Sequence, residues 1–420
     1  MRVLYTSPIL EHPAAGGPQL RVENSIKALS TKCELDVLSR APAPREVRAH
    51  TAEFFRAHSS GFTYARRLES SAFAKRVQRR LRRTFRDPFN SDSREDAQQI
   101  LELVDLHGIE IVWFGYGNIS YPLMRRVRAL RPQLKLVCDT DSVWSRFVLR
   151  ELPYATGLRK LRISRAGRSK QREERAWVEL CDVTTGVSEI DAEYYLGLTP
   201  HQGRIHLFPN VIDVESYDSP PARSPGFRNP SIYLAGTFGY FHSPMDTAAR
   251  WLLEKVMPRL LQRIPDLHFY IVGNNSDKGF GHLNGPNITA TGRLESVLPY
   301  LCHADVALVP LHFESGTRFK ILEAGACGVP LVSTTLGAEG IPVVDGRHLL
   351  IADQPEAFAE AILRLIEDKA FASRLAANCK QLVRDEFSLA RLARDAERIL
   401  AYLNGFRLRP MPGRLGRQHD

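Results

Sequence analysis

The feature that most constrains this chain is a break. Asp218-Ser219-Pro220-Pro221-Ala222-Arg223-Ser224-Pro225-Gly226 can continue neither a helix nor a sheet, because its prolines lack the backbone donor both require. On each side of the break, short apolar runs alternate with helix-like segments. Before it the predicted strands are Arg2–Thr6, Glu34–Ser39, Ile111–Phe114, Leu134–Asp139, Asp182–Val187 and Ile205–Phe208. After it they are Ser231–Ala235, Leu267–Val272, Ile288–Thr291, Val306–Pro310 and Leu331–Ser333. Predicted helices in this half are Pro244–Arg263, Leu294–Cys302, Arg318–Cys327 and Glu356–Asp368, with further helical runs over 370–386 and 388–403. Strands alternating with helices build parallel sheets covered on both faces.

The 420 residues hold two or three domains at roughly 150 residues each. The expected architecture is α/β, with two doubly wound, Rossmann-like domains facing across a cleft. An N-terminal domain spans 1–212, with a basic helical insert, and a linker covers 213–228. A C-terminal domain covers 229–386, followed by a helix over 387–403 and a tail over 404–420. In such sheets ligands sit at the carboxyl ends of the strands, and a hinge is expected near Asn210–Gly226.

Several classes are excluded early. No run approaches the roughly 18 apolar residues of a membrane-spanning helix. Met1-Arg2-Val3-Leu4-Tyr5-Thr6 is too short for a signal peptide and reads as a first strand. The cysteines at 33, 138, 181, 302, 327 and 379 form no CxxC pair, so no cysteine-built zinc site is expected. Buried free thiols fit a reducing compartment, and the expected location is the cytoplasm. His107 lies on a polar stretch and is expected to be solvated.

The positive charge is concentrated. Residues 64–94 carry net +7 and residues 157–176 carry net +6, together more than the +10 of the whole chain. Within the first stretch Phe73, Val77, Leu81 and Phe85 recur every four residues, an apolar stripe on a helix. Arg76, Arg79, Arg80, Arg82 and Arg83 surround it. A basic amphipathic helix suits an anionic membrane surface, which would place the protein peripherally at the inner face of the membrane. A helix packed on its own domain with a solvated basic face is the alternative. No zinc finger, RNP-type aromatic motif or zipper accompanies the charge, so nucleic acid is not expected as a partner.

The strongest local signal is the run from Glu314 to Pro330, Glu-Ser-Gly-Thr-Arg-Phe-Lys-Ile-Leu-Glu-Ala-Gly-Ala-Cys-Gly-Val-Pro. A glycine-bearing loop follows a strand and opens a helix, whose N-terminal amides bind anions such as a diphosphate. Arg318 and Lys320 in the first turn oppose the helix dipole, which suits an anionic ligand. Glu323 follows Lys320 by about one turn on the same side, where a carboxylate accepts from both hydroxyls of a ribose. A plain Lys–Glu surface pair is the alternative.

This run resembles the carboxyl-domain signature of GT-B glycosyltransferases, in particular family 4, and most of all the subgroup written G-T-R-x-K-x-L-E-A-x-A-x-G-V-P. Leu331–Gly340, Leu234-Ala235-Gly236-Thr237, Val272-Gly273, Gly292-Arg293, Ala304-Asp305-Val306 and Val187-Ser188 extend the resemblance to about 1–403. The resemblance implies that the carboxyl domain binds a nucleotide-sugar donor. Glu323 would hold the ribose, and Arg318 and Lys320 the diphosphate. Gly236 and Thr237 would approach the phosphates, Gly316 and Thr317 the sugar, and Arg293 would line the donor site. Gly16 and Gly17 resemble the amino-domain loop that closes over the phosphates.

Two positions depart from the family pattern. Ser315 stands where many members carry the first glutamate of E-x7-E. Phe238-Gly239-Tyr240-Phe241-His242 replaces an Arg/Lys pair. Asp139-Thr140-Asp141 follows a strand in the amino domain. It occupies the segment where members often carry an acceptor-facing histidine or aspartate, so Asp139 or Asp141 would orient the acceptor hydroxyl. A carboxylate capping the next helix is the alternative, and no metal is expected there.

The expected function is therefore transfer of a sugar from a nucleotide-sugar to a glycan or lipid-linked acceptor. Retention and independence of metal are implied by the resemblance, as is work in polysaccharide or cell-envelope glycan synthesis; no other cofactor is expected. The alternatives are a sugar-nucleotide epimerase of the same fold and a non-catalytic scaffold.

Overall fold

The computed structural model describes residues 1–14, 16–41, 45–66, 94–239, 243–313 and 319–406. The stripe Phe73–Phe85, with Arg76, Val77, Arg79, Arg80, Leu81 and Arg83, lies outside the described residues, and so do Gly316, Thr317 and Arg318.

Two parallel sheets form. The first has seven strands in the order β3-β2-β1-β4-β5-β6-β7 and the second six in the order β10-β9-β8-β11-β12-β13. The first contains β1 (Arg2–Ser7), β2 (Glu34–Ser39), β3 (Gly61–Tyr64), β4 (Ile111–Gly115), β5 (Lys135–Asp139), β6 (Val183–Gly186) and β7 (Ile205–Leu207). The second contains β8 (Ser231–Ala235), β9 (His268–Val272), β10 (Ile288–Ala290), β11 (Val306–Val309), β12 (Leu331–Ser333) and β13 (Leu350–Ile351). Every recorded pairing of named strands is parallel, from Val3↔Leu35 in the first sheet to Ala235↔Val272 in the second. β4 and β9 are buried along their whole length, as strands covered by helices on both faces must be.

In each sheet the strand order reverses once, between β1 and β4 and between β8 and β11. At such switch points adjacent connections leave in opposite directions, and a crevice opens at the carboxyl ends.

The chain divides into two compact units. One comprises Met1–Asp141, Ser169–Phe208 and the chain from Leu392 onward; the other comprises Ser142–Arg168 and Pro209–Arg391. By sequence one boundary falls at 212. In the structure, residues 142–168 group with the second unit and the C-terminal helix Leu389–Leu403 runs into the first.

Two strands escape the sequence pattern. β3 has four residues and β13 has two, each at a sheet edge and too short to show a period. The predicted helix Pro244–Arg263 is interrupted by a π turn at Leu252–Val256. Pro258 follows, and with no amide proton it cannot bond the carbonyl of Glu254. The predicted helix Leu294–Cys302 shrinks to Leu298–Leu301. Of the six free cysteines, 138, 181 and 379 are buried, while 33, 302 and 327 are partly exposed. Among the described residues no helix is long and apolar enough to cross a membrane.

Candidate functional site

In the second unit the carboxyl ends of three strands bring those predicted donor residues that the structure describes to one sheet edge. Gly236 and Thr237 follow β8, Arg293 follows β10, and helix Phe319–Cys327, which comes after β11, carries Lys320 and Glu323. Thr237 and Arg293 are exposed, whereas Lys320 and Glu323 are half-buried.

Backbones approach closely where β8 and β9 end. Gly273 has φ +120, and a Cβ there would lie 2.3 Å from the Gly236 carbonyl oxygen. Glycine is required on both counts. The Gly236 amide donates to the Val272 carbonyl at 2.9 Å. Gly239 donates to Asp246 Oδ1 at 3.1 Å, and Ser243 caps helix Pro244–Trp251 by accepting from the Asp246 amide at 3.0 Å. These bonds fix the loop beside Gly236 and Thr237, apart from 240–242, which lie outside the described residues.

Glu323 is the electrostatic centre of this edge. Burial raises its pKa above the ordinary 4.5, and the Lys320 charge and a Tyr217 hydrogen bond pull the other way. The Tyr217 hydroxyl donates to Glu323 Oε1 at 3.4 Å. A carboxylate desolvated by burial, with one cation and one donor for partners among the described residues, has capacity to accept further hydrogen bonds. Tyr217 is a residue that sequence reasoning missed. It ends the short 3-10 helix Val214–Tyr217, inside the stretch expected to be linker. Its aromatic ring amid polar residues is the only signal it leaves.

The second unit also contains a pocket of about 450 Å³, lined by Arg146, Leu149, Arg150, Pro153, Tyr154, His312 and Leu336. Arg150 grips Glu339 with two bonds, at 2.8 and 2.7 Å, the bidentate geometry that fixes both side chains. Among the described residues His312 Nε2 is buried there without a hydrogen-bond partner, and burial lowers the His312 pKa.

In the first unit the protein's own charges tie helix Gly17–Ser30 to the carboxyl ends of β5, β6 and β7. Arg21 and Asp139 form an ion pair, with Arg21 2% and Asp139 0% exposed. Thr185 donates to Asp139 Oδ1 at 2.8 Å, and Arg21 donates to the Phe208 carbonyl at 2.9 Å. Asp139 is thus an interior structural group, and of the two aspartates only Asp141 keeps accessible surface. Asn118 donates to Asp141. Tyr116 faces it with its phenol pKa pushed up by burial and by the Asp141 charge. Tyr116 has φ 58, a conformation an aromatic residue adopts only when its surroundings hold it there. The following helix starts at Trp144 with Val143 at its N-cap and no side-chain cap.

Gly17 opens helix Gly17–Ser30 directly, and exposed Gly16 is its N-cap. In the loop before it, His12 Nδ1 lies 2.9 Å from Glu23 Oε2, and its ring stacks on Phe54 at 3.5 Å. This pair also escaped the sequence reading, since no motif links positions 12 and 23. His107 is not simply solvated: its Nδ1 lies 2.9 Å from Asp36 Oδ1.

Residues 233–368 match the model of a family described as Glycosyl transferases group 1. HepE of Anabaena in complex with UDP is a structural neighbour, at TM-score 0.63 and 13% identity over 97% of this chain and 100% of that one. The same protein in complex with UDP-glucose gives 0.60 and 12% over 97% and 100%. Sucrose-phosphate synthase from Thermosynechococcus elongatus gives 0.62 and 16% over 96% and 100%. A putative UDP-N-acetylglucosamine 2-epimerase from Listeria monocytogenes gives 0.55 and 13% over 97% and 98%. No curated protein matches the chain. At these identities the likeness establishes the fold, two Rossmann-like domains of GT-B type. The group 1 match together with that fold supports a glycosyltransferase.

Proposed function

We propose that this protein transfers a sugar from a nucleotide-sugar donor to a glycan or lipid-linked acceptor, as a retaining, family 4-like enzyme of polysaccharide or cell-envelope glycan synthesis. The observation that carries the reading is Glu323. A half-buried carboxylate flanked by Lys320 and Tyr217 stands at the strand ends, inside the segment that matches the group 1 family.

In this reading Glu323 accepts from the two ribose hydroxyls. Lys320, Arg318 and the amides opening helix Phe319–Cys327 meet the diphosphate, with Gly316 and Thr317 beside the sugar. Gly236 and Thr237 let backbone approach the phosphates, Arg293 lines the nucleotide, and Gly16 and Gly17 close over it. Departure of the nucleoside diphosphate builds negative charge on its terminal phosphate. Fixed cations and amides stabilise that charge electrostatically, and no metal is assigned to the step. Front-face displacement needs no protein nucleophile, and Asp141, held by Asn118, orients the acceptor hydroxyl. UDP is the first nucleotide to try, because HepE was crystallised with it. The protein works in the cytoplasm, at the inner face of the membrane, with the 73–85 stripe as its contact.

The test is donor turnover followed by NMR of the product anomer. Retention of the donor configuration, lost together with turnover in Glu323→Ala, is the expected result. Turnover unchanged in that variant removes the ribose assignment. The His12–Glu23 pair favours a second reading, an epimerase of the same fold, since it is the acid/base pair that the sequence alone did not reveal. Solvent deuterium entering the sugar of a nucleotide-sugar, with no acceptor present, would select that reading.

A further inference from the structure

Helix Gly157–Leu180 begins with an unusual face. Residues 157–168 contain five basic side chains and no acidic one. Ile163 and Gly167 are buried. A Cβ at Gly167 would lie 2.3 Å from Leu149 Cδ2, so this side of the helix is seated on Leu149. At about 100° per residue, Leu158, Leu161, Arg162 and Arg165 share the opposite side. Leu158 is 73% and Leu161 61% exposed, and the preceding Tyr154 and Phe147 are 57% and 39% exposed. Arg159 is engaged by Glu151, whereas Lys160, Arg162 and Arg165 make no ion pair among the described residues.

We propose that this face docks on an anionic phospholipid bilayer. Two leucines one turn apart call for an apolar phase, and the cations between and beside them call for anions within side-chain reach. The interface of an anionic bilayer supplies both at any lateral register, acyl chains below and phosphates around. The arginine stems lie along the apolar boundary while their guanidinium groups stay at headgroup level. An acidic protein partner would have to present a separate apolar hole for each leucine among its carboxylates. The proposal rests neither on the 73–85 stripe nor on the glycosyl-transfer reading.

Co-sedimentation of the full chain with phosphatidylcholine vesicles, with and without phosphatidylglycerol, tests the proposal. Wild type should partition into the anionic vesicles. Arg162→Gln with Arg165→Gln should weaken partition about 30-fold, at roughly a fivefold loss per arginine near the surface. Leu158→Ser with Leu161→Ser should weaken it tenfold or more, on the order expected from lost apolar insertion. Both pairs are exposed, so melting temperature should stay unchanged, separating a docking defect from a folding one. Leu158→Trp should add emission that shifts to the blue on vesicle addition and is quenched by brominated lipid. Unchanged partition in both double variants overturns the proposal, leaving the 73–85 stripe as the contact. Wild type that ignores vesicles but binds immobilised polyglutamate through Leu158 assigns the face to an acidic protein instead.

Discussion

The two sheets are built alike and used differently. At the carboxyl ends of its strands the first unit is sealed by its own charges, Arg21 against Asp139, with Thr185 and the Phe208 carbonyl as further partners. Next to it Arg40, 1% exposed, donates to Thr6 at 3.0 Å and Ser120 at 2.9 Å. Between β8 and β11 the second unit does the reverse. It gathers glycines where backbone must come close and, among the described residues, leaves Glu323 half-buried beside one cation and one phenol. A charge whose partners are all internal holds a structure together. A charge with bonding capacity left over, on a helix beside strand ends, is a candidate for a ligand.

The largest expected effect breaks the sealed side. Arg21→Ala leaves Asp139 buried and uncompensated, which should cost about 3–5 kcal/mol, read as a lower denaturant midpoint. A loss under about 1 kcal/mol would mean that these strand ends are not sealed by that pair. Next comes the backbone contact of the second unit. Gly273→Ala faces both a positive φ and the Gly236 carbonyl, for a loss of about 2–3 kcal/mol. A wild-type midpoint would refute the close approach.

A smaller effect sharpens the electrostatic difference. Burial raises the Glu323 pKa above 4.5, so the fold favours its neutral form. The stability this group contributes is complete below 4.5 and is lost as pH rises through the raised folded value. In the proposed role of Glu323 nucleotide affinity moves oppositely, because ribose hydroxyls would need the carboxylate: it should rise with pH through that same value. Tyr217→Phe removes a bond that favours the ionised form. It should push the affinity midpoint to higher pH and cost about 1 kcal/mol of binding on its acid side. An unmoved midpoint would detach Tyr217 from the site. The smallest effect on stability is at Gly16, an N-cap with extended φ 179 where an added Cβ would come to 3.5 Å from Gln19 Oε1. Gly16→Ser should change stability by less than about 0.5 kcal/mol. It should still slow turnover if the loop closes over phosphates.

The alternation of strands and helices made both sheets legible, because parallel strands buried on two faces read as apolar runs. β3 and β13 were not legible, since a strand of two to four residues at an edge shows no period. Glu323 could be singled out as a candidate because its helix, loop and cation are contiguous in sequence. Tyr217 was not, lying 106 positions away on a turn inside apparent linker. Asp139 looked like Asp141 in sequence. Only the position of Arg21, 118 residues earlier, separates an interior anchor from a carboxylate with surface.

The most direct measurement is calorimetric binding of UDP, GDP, ADP and TDP, with and without magnesium, to wild type and Glu323→Ala. One diphosphate should bind without metal. Its affinity should fall by about 3 kcal/mol in the variant, two charge-assisted hydrogen bonds at about 1.5 each, while the unfolding midpoint holds. Binding of none of the four, or equal binding by both proteins, would contradict the assignment of this strand edge to a nucleotide-sugar donor.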